Sequence, residues 1–446
     1  MRLRDVVAGA NASMYYRTDF RRIKAVYYPQ TERDAVEAIA KAREMGYDVT
    51  PKGAGSGLSG ACTGGNRDRV IITTLRMNRV LSISPDHTYA DVQPGATPDE
   101  INAVLAPSTM RFHVTPSSRD VATVGGMLST DSGGNDAWLH GTMRDNTLRA
   151  KILTYDGKQI EVGREGVRCE DTSLEDDLNR KALTLNDIAD AHGLLGFVTE
   201  LRLALKPIGD ETVMAGLVEC TDISELGSVV QDIISAKIPV TYGETVIYAH
   251  PDIRGSLNPP LLVLEFPEAH LRDLQSITRL RMLTREELAE LKDIRLKLAK
   301  RTPKRGLQIS LFEDYGFYGH NLSRLQERVE RIDSYLREHS FEPLAKYGHA
   351  PTKWYMGDNT QANGIIMHSN EIKQPRQSSS DVFETAMGLV RLCEELGVTP
   401  KPEHKWIYSD YAKLARIREL REVIGGGFNS FILDPDCGAV LSTMIQ

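Results

Sequence analysis

The spacing of apolar and polar residues changes period several times along the chain. Residues 23–28 (Ile-Lys-Ala-Val-Tyr-Tyr) read as a short β run, and the stretch after them sets Val36, Ile39, Ala40 and Ala42 on one helical face. Thr31 is its expected N-cap, with Asp34 three residues on as an acidic variant of the capping box, and Gly46 is the expected stop. Tyr47-Asp-Val-Thr then leads into Pro51-Lys-Gly-Ala-Gly-Ser-Gly-Leu-Ser-Gly60, and residues 70–75 return to a strand pattern. Strands are expected at 80–84 and 89–93, followed by a helix that starts at Thr97-Pro-Asp-Glu-Ile and runs to about Leu105. Residues 148–155 and 158–162 form a hairpin about Asp156-Gly157, and Gly193-Leu-Leu-Gly196 feeds a strand at 197–203.

The second half holds two similar runs. A strand at 212–220, a helix at 223–236 and strands at 240–248 and 261–266 are followed by a strand at 306–312, a helix at 323–338 and strands near 343–347 and 364–368. Strand–helix–strand–strand given twice predicts one antiparallel sheet faced by helices. Glu327, Glu330, Arg331 and Arg337 are the solvated face of the second of those helices. Between the runs, residues 284–300 form a charged amphipathic helix opened by the box Thr284…Glu287, with Leu288, Leu291, Ile294, Leu296 and Leu298 apolar. Residues 408–423 are a last helix.

At 446 residues the chain exceeds one ordinary core, so two or three domains are expected. A hydrophobic content of 41% and a charged content of 26% are those of a globular protein, and a net charge of −7 disfavours a general nucleic-acid role. No run is long and apolar enough for a membrane helix, and the N-terminus lacks a signal-peptide apolar region. Cys62, Cys169, Cys220, Cys393 and Cys437 are scattered without a CxxC, which excludes a disulfide scaffold, a zinc ribbon and a self-contained cysteine-ligated iron–sulfur cluster. A reducing cytoplasm is expected.

The loop at 51–60 carries glycine at nearly every second position, a composition suited to presenting bare backbone N–H groups to a phosphate. It is not a Rossmann fingerprint, because that motif opens a helix, whereas Ala-Cys-Thr-Gly-Gly-Asn-Arg-Asp and a strand follow here. A second set of glycine and small hydroxyl residues spans Thr115-Pro-Ser-Ser-Arg119, Thr123-Val-Gly-Gly-Met, Asp131-Ser-Gly-Gly134, Gly141 and Thr142, and the third is 193–196. Three such segments, each joined to strands, describe an extended dinucleotide lying along an α+β domain.

Taken together, these motifs resemble the FAD domain of the vanillyl-alcohol oxidase/p-cresol methylhydroxylase (PCMH) class of FAD-linked oxidases. The nearest subgroup is the FAD subunit of D-lactate dehydrogenase and glycolate oxidase, whose loop P-R-G-x-G-T-G-L-S-G is matched by residues 51–60. Val92-Gln-Pro-Gly95, Pro116-Ser-Ser118, Thr123-Val-Gly-Gly126, Ser132-Gly-Gly134 and Gly196-Phe-Val-Thr-Glu200 follow in the family's order, so the likeness covers roughly residues 20–205. It implies an α+β fold. A two-part PCMH-type FAD-binding domain (1–207) would precede a substrate-capping domain with an antiparallel sheet of ferredoxin-like repeats (208–400). A C-terminal helical segment (401–446) would return to the FAD domain. It also implies that Pro51, Lys52, Gly53, Ala54, Gly55, Ser56, Gly57 and Leu58 hold the pyrophosphate of FAD. Pro94, Gly95, Pro116, Ser117, Thr123, Gly125, Gly126, Ser129, Asp131, Ser132, Gly133, Gly141, Gly196 and Val198 would line the rest. Members with covalent flavin carry histidine at the position of Ser56, so the FAD here is expected to be non-covalent.

For the chemistry, Gly348-His349-Ala350 resembles the start of the family's G-H-x-G-D-G-N-L-H stretch, but Pro351 breaks it and the next histidine is His368. Glu403-His404 stands where the family has G-E-H-G, and 433–441 resembles the family's terminal motif. The resemblance implies His349, His368 and Glu403 as ligands of a divalent metal (Zn or Mn) and His404 as the base, with Arg295 pairing the substrate carboxylate. The implied activity is oxidation of a 2-hydroxy acid, D-lactate or glycolate-like, with hydride passing to the flavin and electrons to a separate iron–sulfur or quinone-linked subunit. A homo-oligomer, cytoplasmic or held peripherally at a membrane through its partner, is expected. The altered metal motif leaves open a flavoenzyme for another alcohol or sugar acid, and a flavin-holding electron-transfer subunit with little activity of its own.

Overall fold

The computed structural model of the chain describes residues 20–57, 61–63, 67–209, 212–251, 257–300, 307–309, 314–356, 358–373, 379–400 and 411–433. The first lobe is a parallel three-stranded sheet with Arg69–Thr73 in the centre between Ile23–Tyr27 and Asp48–Lys52. Helix Glu32–Glu44 covers it. Its capping box is closed by Thr31 and Asp34, as the sequence predicts, but the buried face is Ala35, Ala38, Ile39 and Ala42, with Val36 and Ala40 only half-buried. These side chains pack on Val49, Val70, Ile72 and Phe428, and complete burial of Ile39 alone contributes about 1.5–3 kcal/mol. No helix follows the glycine loop; Ala61–Thr63 is a single 3₁₀ turn before the central strand.

The second lobe is a six-stranded antiparallel sheet in the order Val80–Ile83, Tyr89–Val92, Phe197–Ala204, Thr147–Leu153, Gln159–Gly163, Gly166–Cys169. Period-2 alternation sends Ala90, Val92, Leu201, Leu203, Ala150, Ile152, Ile160 and Val162 into the main core. The opposite face is a lattice of charges. Asp91 accepts from Arg202 Nε at 2.8 Å and from Arg149 at 3.2 Å, while Arg149 also reaches Glu200 (2.7 Å) and Glu161 (3.1 Å). Glu32, from the first lobe's helix, accepts from Thr199 (2.9 Å) and Gln159 (2.7 Å), which seats the helix on this face.

The third layer is one antiparallel sheet of nine strands. Its two halves repeat one plan. In the first, Val213–Glu219 pairs Leu261–Pro267, which pairs Tyr242–Ala249. In the second, Asp314–Tyr318 pairs Gln361–Lys373, which pairs Phe341–Tyr355. Tyr242–Ala249 and Phe341–Tyr355 join the halves. Helices Ile223–Ser235 and Leu325–Glu338 lie on one face, where Lys346 is paired with Asp333 at 2.7 Å. The last two strands are far longer than the sequence pattern shows, because a buried hairpin need not alternate once both faces are covered. Helix Ser379–Leu396, unassigned from sequence, contacts helix Leu325–Glu338. Among the described residues no helix is long and apolar enough to cross a membrane.

Two stability outcomes follow. Burial raises the Asp91 carboxyl pKa, but Arg202, Ser82 and Arg149 outweigh it and hold the group below its ordinary value. A depressed carboxylate adds stability above its unfolded pKa, and that stability is lost as pH falls through the folded value. Asp91→Asn is therefore expected to cost about 1–2 kcal/mol near neutral pH and progressively less as pH falls below the ordinary aspartate range, read from urea melts across an acid pH series. At Gly95 an added Cβ would lie 2.0 Å from the Thr74 carbonyl oxygen and 2.8 Å from that of Met77. Gly95→Ala is expected to lower stability by about 1–3 kcal/mol in the same assay.

Candidate active site

Several of the glycine segments converge. The strand Asp48–Lys52 delivers Gly53 against the first turn of helix Val124–Ser129, so close that a Cβ there would stand 2.1 Å from Thr123 Oγ1. That helix lies within the second glycine segment, which the sequence left irregular. Gly125 inside it is explained by contact, since its Cβ would meet Pro94 Cβ at 2.6 Å while its N–H donates to the Pro94 carbonyl at 2.8 Å. Ser129 Oγ donates to Gly125 O at 2.8 Å and Thr130 Oγ1 lies 3.1 Å from Ser132 Oγ. The third segment joins through Asp190 N–H to Leu128 O (3.1 Å) and His192 N–H to Ser129 O (2.8 Å), and Gly193 packs on the Pro51 ring. Gly55, Gly141 and Gly196 have φ of +80°, +85° and +153°, conformations that need glycine. Gly133 is half-buried, and Val198 belongs to the main core. Pro116 and Ser117 begin the turn that leads, through Asp120, to Thr123. Ala54, Ser56 and Gly57 follow Gly53 in the described part of the loop, and Leu58 lies outside the described residues.

This set fits the phosphate end of FAD. Thr123 Oγ1 is buried without a hydrogen-bond partner among the described residues, between Gly53 and Gly126. Lys52, next to Gly53 in sequence, is buried, its ammonium pKa lowered by desolvation against the opposing effect of Cys62. A bare backbone loop, an unsatisfied hydroxyl and a buried ammonium are what a desolvated diphosphate requires.

Residues that the sequence reading passed over tie this region to the rest. Arg144, with its side chain 3% exposed, donates to Asp131 at 2.5 Å and to Asn359 Oδ1 at 2.8 Å, and its guanidinium lies 4.4 Å from the Tyr355 ring centroid. Burial pushes the Asp131 carboxyl above its ordinary pKa although Arg144 opposes it. Tyr355 Oη donates to Asp145 at 2.6 Å. Tyr355 and Asn359 flank the tip of the long hairpin, so the third layer rests directly on the 131–145 segment. Helix Tyr411–Ile424 also packs here, with Lys413 donating to the carbonyls of Asn186 and Ala189 (both 2.7 Å) and Arg416 Nε donating to Asp187 at 2.9 Å.

The strand Phe341–Tyr355, which packs against helix Ala137–His140, carries His349. His349 pairs in register with Ile366 and His368 with Tyr347, so the two histidines are diagonal neighbours on one face. Their rings meet edge to face with centroids 5.3 Å apart, and the Tyr347 ring is 5.7 Å from that of His368. Across the other strand junction stands Glu244, 2% exposed, with Oε2 3.6 Å from His349 Nδ1. Glu244 was readable as a single acid inside an otherwise neutral strand pattern. Helix Arg285–Lys300 lies over the same face: Leu288 and Leu291 pack with Tyr347 and Val246, and Lys292 pairs with Glu265 at 2.6 Å. Arg295 belongs to this helix, one turn beyond Lys292.

The metal ligand set implied by the sequence is only partly assembled. His349 and His368 come together, but Glu403 and His404 lie outside the described residues. Among the described residues no group of three or more His, Cys, Asp or Glu is placed to hold a metal ion.

Comparison with known proteins agrees with the first part of the chain. An FAD binding domain model matches residues 23–163. Glycolate oxidase subunit GlcD of Bacillus subtilis is 30% identical over 217 residues, 48% of this chain and 43% of that protein. A probable mitochondrial D-lactate dehydrogenase of Danio rerio is 27% identical over 216 residues, 48% of this chain and 41% of that protein. These matches span only about two fifths of the length of the curated relatives. In overall fold the chain is similar to a solved alkyldihydroxyacetonephosphate synthase, with a TM-score of 0.67 at 14% identity, over 90% of this chain and 74% of that one. Over residues 23–163 the chain is therefore similar to an FAD binding domain.

Proposed function

We propose that this chain is an FAD-dependent dehydrogenase that oxidises the CH–OH carbon of a 2-hydroxy acid, of the D-lactate or glycolate kind, to the 2-oxo acid. The observation that carries the reading is the pair His349 and His368, side by side on the sheet face whose strand packs on the flavin-domain helix Ala137–His140. Imidazole is suited to handling a hydroxyl proton near neutral pH, and two of them with a buried carboxylate make a site unlike the apolar faces around it. FAD, held non-covalently with Ser56 in the loop, supplies the acceptor for the hydride. His404 takes the hydroxyl proton, and Arg295 pairs with the substrate carboxylate from the helix that covers this face. Glu403 completes a divalent-metal set with the two histidines. The oxidised flavin is restored through a separate iron–sulfur or quinone-linked partner, because the chain has no cysteine set for a cluster of its own. The protein works in the cytoplasm, as a homo-oligomer or at a membrane through that partner.

A second reading, a flavoenzyme for another alcohol or sugar acid, is favoured by the broken metal motif, in which Pro351 follows Gly348-His349-Ala350 and the next histidine is His368. Anaerobic bleaching of the FAD-loaded chain separates the two. D-Lactate, glycolate or D-2-hydroxyglutarate is expected to bleach the flavin, and His404→Ala and His349→Ala each to slow this by about 10²-fold or more. Bleaching by xylitol alone would favour the second reading, and bleaching by none of these would leave a flavin-holding subunit. Dialysis against a chelator is expected to lower the rate and added Zn(II) or Mn(II) to restore it; an unchanged rate removes the metal from the account.

A further inference from the structure

Glu244 occupies a place where stability alone would put an apolar residue. It lies in the strand Tyr242–Ala249 between Gly243 and Thr245, both buried, and is itself 2% exposed. Its face of the sheet continues into Tyr242, Val246 and Tyr347, which pack under Leu288 and Leu291 of the covering helix. Taking a carboxylate out of water costs several kcal/mol unless a basic group meets it. In the same sheet the buried Lys346 is matched by Asp333 and the half-buried Glu265 by Lys292. Among the described residues, Glu244 faces a basic group at ion-pair distance in His349, opposite it in register, with Oε2 and Nδ1 3.6 Å apart. His349 in turn meets His368 edge to face.

We propose that Glu244 is a positioning residue for His349. Its carboxylate, 3.6 Å from Nδ1, favours the proton on that nitrogen electrostatically, which sets the ring's orientation and tautomer and leaves the Nε2 lone pair as the one presented to whatever binds beside His368. A carboxylate behind an imidazole does this wherever a histidine must be held as a ligand or a base, and its loss typically costs about 10–100-fold. The role rests on the proposed reaction, in which His349 acts, but it is a statement about this pair and can be read without turnover.

The test uses the full chain loaded with FAD. Glu244→Gln is expected to slow flavin reduction by D-lactate or glycolate about 10–100-fold with KM within about twofold, while flavin content and melting temperature stay near wild type. Glu244→Asp is expected to recover part of the rate. In the His349→Ala background, Glu244→Gln is expected to have no further effect, because its action passes through His349. Equal slowing in both backgrounds would overturn the proposal. A second readout needs no substrate: the ¹⁵N-histidine spectrum, in which the resonance absent from His349→Ala is expected to shift in Glu244→Gln. An unmoved resonance would overturn the proposal as well. If no 2-hydroxy acid bleaches the wild-type flavin, the proposed reaction fails, while the ¹⁵N spectrum still decides the role of Glu244.

Discussion

The buried contact between Asp131 and Arg144 is the constraint on which the arrangement of the lobes depends. Both side chains are almost sealed from solvent, and breaking such a pair leaves an uncompensated buried charge at a cost of about 3–5 kcal/mol. Asp131 belongs to the segment that packs, through Ser129 and Leu128, against the loop at 190–193 and, through Thr123 and Gly126, against Gly53. Arg144, in helix Met143–Asn146, extends to Asn359 and Tyr355 at the hairpin tip, and its neighbour Asp145 accepts from Tyr355. The 131–145 segment thus joins the glycine segments and meets the hairpin tip of the third layer. Lys413 reaches the carbonyls at 186 and 189, so helix Tyr411–Ile424 holds the chain that leads into the 190–193 loop.

Much of this was legible in the sequence, for reasons that differ by region. Caps are local chemistry, and the boxes at Thr31–Asp34, Thr97–Glu100 and Thr284–Glu287 form as their spacing requires. The glycine segments were legible because close approach excludes every other residue, as at Gly53 and Gly95. The doubled strand–helix–strand–strand pattern gave the antiparallel sheet, but the second repeat opens on Asp314–Tyr318 and not on the expected 306–312 run, of which Leu307–Ile309 pairs only the far end of Gln361–Lys373. What the sequence hid was long-range. The helix Val124–Ser129 contains two glycines and reads as a loop; it forms because Pro94 and Thr123 pack against those glycines. Arg144 looks like one more surface arginine until the hairpin tip closes over it. Whether His368 belongs with His349 depended on strand register across a break at Pro351, and the register supplies what spacing could not. Glu403 and His404 lie outside the described residues, so the base and the third ligand stay proposals.

The sheet of the third layer has two unlike faces near the hairpin. One is closed by helices Ile223–Ser235 and Leu325–Glu338 and holds the Lys346–Asp333 pair. The other carries Glu244, His349, His368 and Tyr347, and Leu288 and Leu291 of helix Arg285–Lys300 pack with Tyr347 there. Chemistry at the second face requires the flavin ring to reach it from the loops at 131–142. An experimental structure of the chain with FAD bound tests this most directly. The account predicts the isoalloxazine ring in the cleft between those loops and the face bearing His349 and His368, with the diphosphate against Gly53, Gly55 and Thr123. A ring lodged away from that face, with both histidines out of reach of any molecule stacked on it, would contradict the account.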